Sequence, residues 1–390
     1  MKDRKLLMIP GPIEFEPEVL AAIGEPTTSH VDPEFIEIFG RAIELIRKVW
    51  MAPNGQPFIL AGSGTLAMDA AGANLIEPGD RALVLSTGLF GERFAELLAR
   101  YGADVTLLPF PLGETVDYGR VKEALASGDY KLMTATHVDT STGVRVDPKP
   151  LGRLGREYGV LTVLDGVCSV AGEELRQEEW GIDVVLTASQ KAIGVPPGLA
   201  LLVASERAIA AFEGRKQPVG SYYVDWRSWL PIMRGYEARH PAYFATPPVN
   251  LICGLGVSLN RIIAEGLDRR IARHRRLARA FRAGISALGL SQVPTDSAHA
   301  ANTLTAPRYP DGVSGVEFLG HVRDAGVILA GGLHPEIASE YFRIGHMGAV
   351  TEGEILTTIG AVETGLRRSG HRFVPGAGVK AVQEALSDPD

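Results

Sequence analysis

The chain has 390 residues, of which 45% are hydrophobic and 22% charged, and its formal net charge is −7. These values fit a globular protein and exclude a disordered or fibrous one, while the acidic balance gives no electrostatic reason to expect nucleic acid as a partner. The length favours two domains of unequal size, and the two cysteines, Cys168 and Cys253, imply a reducing compartment without a disulfide framework.

The first residues, MKDRKLLMIP, hold too short an apolar run for a signal-peptide core, and no apolar run approaches the ~20 residues of a membrane span. The terminal LSDPD is not a peroxisomal address, so a cytoplasmic location with no membrane partner is expected. From 56 to 204, short apolar runs alternate with longer amphipathic ones. PFILAG, ALVLST, DVTLLP, KLMTATHV, LTVLD, DVVLTAS and LALLVAS read as strands. Between them FGERFAELLARYG, VDYGRVKEALASG and KPLGRLGREYG read as helices. This rhythm predicts an α/β fold with a seven-stranded, mostly parallel sheet. A Pro- and aromatic-rich stretch spans 219–248, and one long helical pattern follows from Leu251 through Ala287. Within it the basic run LDRRIARHRRLARAFR reads as a solvated helix face, with Ile271, Leu277, Ala278 and Phe281 as its apolar stripe. The strand and helix mixture beyond suits a smaller C-terminal α+β domain. The expected division is an arm at 1–18, a large domain at 19–255, a small domain at 256–372 and a tail at 373–390.

Chemistry first shows in FILAGSGTLAM, where a strand meets a Gly-Ser-Gly-Thr turn opening a helix. Free N–H groups and the helix dipole then converge, a ready seat for phosphate to which Ser63 and Thr65 add hydroxyls. Gly62 to Ala67 also match the dinucleotide fingerprint G-x-G-x-x-A, so a nicotinamide-dependent oxidoreductase is an alternative. That fold needs an acid at the end of the next strand, whereas ALVLST ends in Ser86 and Thr87. Lys191 lies in TASQKAIGVPPG, just past a predicted strand, and Asp165 ends LTVLD, 26 positions earlier (191 minus 165). A lysine that forms a Schiff base and a carboxylate that keeps a pyridine nitrogen protonated are the pair pyridoxal phosphate requires. Two neighbouring parallel strands would aim both at one crevice. The apolar flank Ile193, Val195, Pro196, Pro197 would strip water from the amine and lower its pKa.

In order, PGP, the GSGT turn, HVDTSTGV, LDGVCS, SQKAIG, AYFATPPV and FRIGHMG resemble the class V alanine:glyoxylate and serine:pyruvate aminotransferases, within fold type I of the pyridoxal phosphate enzymes. The likeness covers nearly the whole chain and is strongest to the fungal-type alanine:glyoxylate enzymes. It implies ping-pong transamination from a small amino acid, alanine or serine, to glyoxylate, giving glycine and pyruvate or hydroxypyruvate. By position, Lys191 and Asp165 match the catalytic pair, and Ser63, Gly64, Thr65 and Gln190 match phosphate contacts. Phe90 matches the ring-stacking aromatic, tryptophan in many relatives, and Val167 the packing on the other face. Thr140 matches a hydroxyl residue beside the cofactor that also faces substrate. Tyr243 and Thr246 match residues reaching the phosphate from a neighbouring subunit, which implies a homodimer with a shared active site.

Arg343, in YFRIGHMG, matches the clamp for the substrate's α-carboxylate, a task suited to its guanidinium fork. His30 and His346 read as hydrogen-bonded packing residues, and no metal-ligand spacing is present. Same-fold rivals are a serine:pyruvate, phosphonate or phosphoserine aminotransferase, or a cysteine desulfurase, although both cysteines lie in apolar runs rather than a mobile loop. A non-catalytic binding protein is the remaining alternative.

Overall fold

In the computed structural model, residues 4–388 are described. After a two-residue strand β1 (Leu6–Leu7) come helices α1 (Pro17–Gly24) and α2 (Pro33–Trp50). Both begin on proline, whose fixed φ suits a first turn and whose missing N–H would have had no helical partner there. The alternating region follows as β2 (Gln56–Gly62), α3 (Gly64–Leu75), β3 (Arg81–Ser86), α4 (Leu89–Arg100), β4 (Asp104–Pro109) and α5 (Tyr118–Ser127). It continues with β5 (Leu132–Thr136), α6 (Pro148–Glu157), β6 (Leu161–Asp165), α7 (Gln177–Trp180), β7 (Val184–Ala188) and β8 (Gly198–Ala204).

Strands β2 to β8 form one sheet in the order β2-β8-β7-β6-β5-β3-β4. Only β8 runs against its neighbours, antiparallel to both β2 and β7, while the other adjacent pairs are parallel. Every residue of β5, β6 and β7 is buried. That explains their continuous apolar runs, since a parallel sheet needs cover on both faces. Asp165 and Ala188 therefore end neighbouring strands at the same edge of the sheet, the edge where open α/β sheets hold ligands.

Helices α8 (Glu206–Glu213), α9 (Trp226–Glu237), α10 (Val249–Glu265) and α11 (Leu267–Ala287) come next. The aromatic-rich stretch thus contains a helix, α9, with Trp226, Trp229 and Tyr236 in the core. The single long helix expected from 251 to 287 is two, because Gly266 adopts φ +84°, a backbone conformation that interrupts the ladder and favours glycine. Leu259 and Ile262 still belong to the first core, whereas Leu277 and Phe281 belong to a second. The boundary expected at 255/256 lies inside α10, and Leu267, just past Gly266, still packs against the first core.

The second lobe contains β9 (Leu304–Thr305), α12 (Gly315–Asp324), β10 (Val327–Ile328), β11 (Ala330–Gly331), β12 (Phe342–Gly345), α13 (Glu352–Arg368) and α14 (Ala377–Ser387). Helix α14 lies in the stretch expected to be a tail; it packs on α11 and α13 and buries Val382. The N-terminal arm also joins this lobe: β1 pairs with β10, and Met8 enters its core.

A buried polar seam joins the lobes. The Glu173 carboxylate accepts hydrogen bonds from the Asn302 backbone N–H and from Asn302 Nδ2 (2.7 Å). His346 Nδ1 donates to Asn302 O (3.1 Å), leaving Nε2 to accept from the Thr305 hydroxyl (2.8 Å). Arg282 Nη1 donates to Ala301 O (2.8 Å).

Candidate active site

A cleft of about 190 Å³ opens at the carboxyl edge of the sheet and brings together Ser63, Gly64, Thr65, Phe90, Thr140, Asp165, Val167, Gln190 and Lys191. Nine expected site residues from five separate stretches of sequence thus meet in one place. Wider grooves lie elsewhere, one of about 810 Å³ open beside Glu265 and Arg273, and it holds none of these residues.

Lys191 follows β7 on a short loop and is 7% exposed. Burial, aided by the nearby Arg343 charge, lowers the pKa of its amine against the opposing pull of Asp165. Its Nζ donates to Pro10 O, so the N-terminal arm passes directly over it. Gly11 makes that approach possible: at φ +104°, a Cβ there would lie 2.6 Å from Lys191 Cδ.

Asp165 ends β6, where its Oδ1 accepts from Val167 N (2.9 Å). Burial, with the neighbouring Asp139 charge, raises its carboxyl pKa to about 7, although that hydrogen bond, Lys191 and Arg93 all pull it down. Two buried polar atoms in the cleft residues, Thr136 Oγ1 and Gln190 Oε1, have no hydrogen-bond partner among the described residues. Buried polar atoms are normally paired, so each unpaired one calls for an explanation.

The phosphate-type turn takes the expected form. Ser63 stands at the N-cap of α3 without capping it, so the first N–H groups of α3 and the Ser63 hydroxyl are free for a ligand. Gly64 has no room for a side chain, since a Cβ would meet Val167 Cγ2 at 2.8 Å. Phe90 lies in the first turn of α4 with the Arg93 guanidinium 4.9 Å from its ring centre.

Arg343, on β12 of the second lobe, reaches back toward the cleft. Its Nε donates to Gly331 O (2.9 Å) and its Nη1 to Thr140 O (3.3 Å), and among the described residues Nη2 has no partner. Burial lowers its pKa from a value so high that the side chain stays cationic.

Tyr243 and Thr246 are not part of this cleft. Both are exposed, Tyr243 at 62%, with its ring 5.1 Å from that of His30. His346 is a paired residue of the seam, as described above.

Several residues went unnoticed in the sequence. Thr136 and Val138 line the cleft, and the strand period of two in KLMTATHV could have revealed them as sharing a face. Asp139 has a less visible role. Its Oδ1 accepts from Ser141 N (2.8 Å) and its Oδ2 from Phe90 N (3.1 Å), while Ser141 Oγ accepts from Leu89 N (3.0 Å). The N-cap of α4 is Gly88, which has no side chain to cap with, so Asp139 and Ser141 cap the helix from another loop and fix Phe90 in place. Nothing in the local sequence shows where that cap comes from.

Comparison with known proteins gives a consistent result. The aminotransferase class-V family matches residues 18–349. Alanine–glyoxylate aminotransferase 1 of Saccharomyces cerevisiae is 42% identical over 357 residues, covering 88% of this chain and 91% of that protein. L-aspartate–glyoxylate aminotransferase of Paracoccus denitrificans is 33% identical over 389 residues, covering 98% and 96%. Among solved structures, the ureidoglycine–glyoxylate aminotransferase of Bacillus subtilis superposes with a TM-score of 0.93 at 27% identity, covering 100% of this chain and 99% of that one.

Proposed function

The chain belongs to the class V aminotransferases, which depend on pyridoxal phosphate, and on that premise we propose that it moves an amino group from alanine or serine to glyoxylate, yielding glycine and pyruvate or hydroxypyruvate. The observation that carries this reading is the meeting of Lys191, Asp165 and the α3 N-terminus in one cleft, with Arg343 reaching it from the other lobe.

The residues present fit the cofactor. The unpaired Thr136 Oγ1 and Gln190 Oε1 offer polar contacts, the uncapped α3 with Ser63 and Thr65 suits a phosphate, and Gly64 leaves space for close approach. When bound, pyridoxal phosphate supplies an electron sink for negative charge at the donor's α-carbon.

In this proposal the chain's own groups do the following. Lys191, its proton affinity lowered by burial, anchors the cofactor, then takes the α-proton from the donor and returns it on the other side of the reaction. Asp165, a buried carboxylate lining the cleft, would favour a positive charge on the ring nitrogen. Phe90, held by the Asp139 cap, and Val167 would hold the cofactor's ring between them. Arg343 binds the α-carboxylate and, with Thr140, turns the Cα–H bond toward Lys191.

We place Tyr243 and Thr246 in the neighbouring copy's cleft, so the working unit is a homodimer; their exposure away from the cleft of their own chain supports this. No helix among the described residues is long and apolar enough to cross a membrane. Two free cysteines support a reducing compartment, the cytoplasm, where the reaction would form glycine and remove glyoxylate.

The test is a panel of amino donors against glyoxylate and pyruvate, with initial rates at varied concentrations of both substrates. Parallel double-reciprocal lines with alanine or serine and glyoxylate are expected. Intersecting lines, or a purified protein with no visible band sensitive to borohydride after addition of pyridoxal phosphate, would overturn the reading.

A further inference from the structure

The basic run on α11 is only in part the solvated face that its composition suggests: Arg269, Arg275 and Arg279 are exposed, but the face is not solvated throughout. Arg270 is 7% exposed and His274 is fully buried, while Arg275 on the same helix is exposed. Arg270 points from the first turn of α11 into the first lobe and divides its donors three ways. Nη2 donates to Ala192 O (2.8 Å), Nε to Ala171 O (2.9 Å), and Nη1 to Glu265 Oε2 (2.7 Å).

Both carbonyls belong to the loops that aim the candidate catalytic pair. Ala192 follows Lys191, and Ala171 lies in the turn after Asp165. Four successive carbonyls of the lysine loop have partners from different places. Ile13 N bonds Gln190 O (3.3 Å), Gly194 N bonds Lys191 O (2.8 Å), Arg270 bonds Ala192 O, and the Ser258 hydroxyl bonds Ile193 O. Of these partners, Arg270 also holds the Asp165 turn. It holds that turn at a strained point, because Ala171 adopts φ +64°, a left-handed conformation that residues with a Cβ seldom take.

From Glu265 the chain of contacts continues to the strand that carries the carboxylate clamp. Glu265 pairs with Arg273 (Nε to Oε1, 2.6 Å), and Arg273 donates to Gly348 O (2.9 Å) and Val350 O (3.1 Å). His274 closes the loop. Its Nδ1 donates to Arg270 O (2.8 Å), and its Nε2 accepts from Gly348 N (2.9 Å). Gly348 lies five positions after Arg343, just beyond β12.

We propose that Arg270 is a positioning residue: it fixes the Lys191 loop relative to the Asp165 turn and, through Glu265 and Arg273, ties both to the end of the Arg343 strand. The assignment rests on the proposed roles of Lys191, Asp165 and Arg343. An amine that must reach both a cofactor and a substrate α-carbon tolerates little displacement, and an error of an ångström costs up to about a hundredfold in rate.

The test uses R270M, R270K, E265Q and, as a control on the exposed side of the helix, R275A, each as the full chain. Hydrogen exchange of the cofactor-free proteins is the first readout. R270M should speed exchange in the segments 166–172 and 189–195 together, and R275A should speed neither. In the holoenzymes, R270M should lower kcat about tenfold or more with the donor KM held within about twofold, and should shift the pH at which the visible band changes. R270K should recover part of each effect, and E265Q should show a weaker version. If R270M does not fold, the same pattern in R270K and E265Q decides the question.

Unchanged exchange in the two segments would overturn the proposal. So would faster exchange or a lower Tm with wild-type kcat and band titration, since a merely structural role predicts that result. A wild-type protein lacking a borohydride-sensitive band would instead sink the Lys191 reading, and the exchange experiment would still judge the Arg270 clamp.

Discussion

Two buried polar regions lie close together in this molecule and differ in one respect. In the seam between the lobes, Glu173, Asn302, His346 and Thr305 satisfy one another. In the cleft at the sheet edge, Thr136 and Gln190 keep unpaired polar atoms, and Arg343 keeps a free nitrogen among the described residues. Buried polar side chains occur in both regions, so burial alone does not identify a ligand site. Unfinished pairing inside the cleft adds to the convergence of site residues there, because a buried donor or acceptor without a partner costs about 1–3 kcal/mol that a bound molecule can recover. Unpaired atoms such as Thr134 Oγ1, Gln177 Oε1 and Trp226 Nε1 lie outside the cleft, so the feature marks a site only together with that convergence.

Substitutions that separate reaction from folding put this contrast to the test. The largest effect is expected from Lys191→Ala, which should lower turnover by at least about a thousandfold, as loss of a general acid–base group does, while the thermal midpoint stays near wild type. Transaminase activity within tenfold of wild type would break the contrast at its centre. Next is Arg343→Gln, expected to lower kcat/KM for the amino donor by about a hundredfold, given ~1.5–3 kcal/mol for each charge-assisted hydrogen bond to the carboxylate. Steady-state kinetics on alanine and serine would check it.

Glu173→Ala should do the reverse. It removes the acceptors of both Asn302 N–H donors and should reduce stability by about 1–3 kcal/mol in chemical denaturation, with kcat per folded molecule unchanged. A fall in kcat without a fall in stability would place the seam inside the active machinery.

A further contrast concerns pH, where the two regions should show slopes of opposite sign. Asp165 has its pKa raised to about 7 in the fold, so between about 4 and 7 the native cofactor-free protein holds a proton that the unfolded chain releases. Its contribution to stability therefore falls as pH rises through that window. Asp165→Asn should gain on wild type toward pH 8. Burial, with the Arg282 charge, holds His346 neutral with a pKa of about 3, so the unfolded chain takes up the extra proton below about 6.5. Wild type should then lose stability relative to His346→Gln as pH falls from 6.5 toward 3. Thermal midpoints of the cofactor-free proteins across pH 4–8 would check both signs.

The parts of the fold legible in the sequence were those encoded by short-range pattern. Strands β5 to β7 announce themselves as apolar runs, and the Asp165 and Lys191 strand ends follow from the α/β rhythm. What escaped was long-range or depended on a single residue. The α10 to α11 break depends on Gly266, one glycine in an otherwise unbroken helical pattern. The arginines at 270 and 275 are the same in composition, yet one is buried against Ala192 and Ala171 while the other faces water. The Asp139 cap on α4 joins residues about fifty positions apart, and no local rule connects them. Helix α14 was missed for another reason: its only buried side-chain hydrophobe is Val382, so its apolar stripe is faint.

The arm that carries Ile9 to Pro12 over Lys191 has a practical consequence for handling this protein. Its first strand is stitched to β10 of the second lobe and its Pro10 carbonyl caps the reactive amine, so the segment from Leu6 to Pro12 forms the roof of the chamber. Trimming the first dozen residues to obtain a tidier expression product would unroof that chamber, and a bulky fusion placed directly before Leu6 would load the stitch.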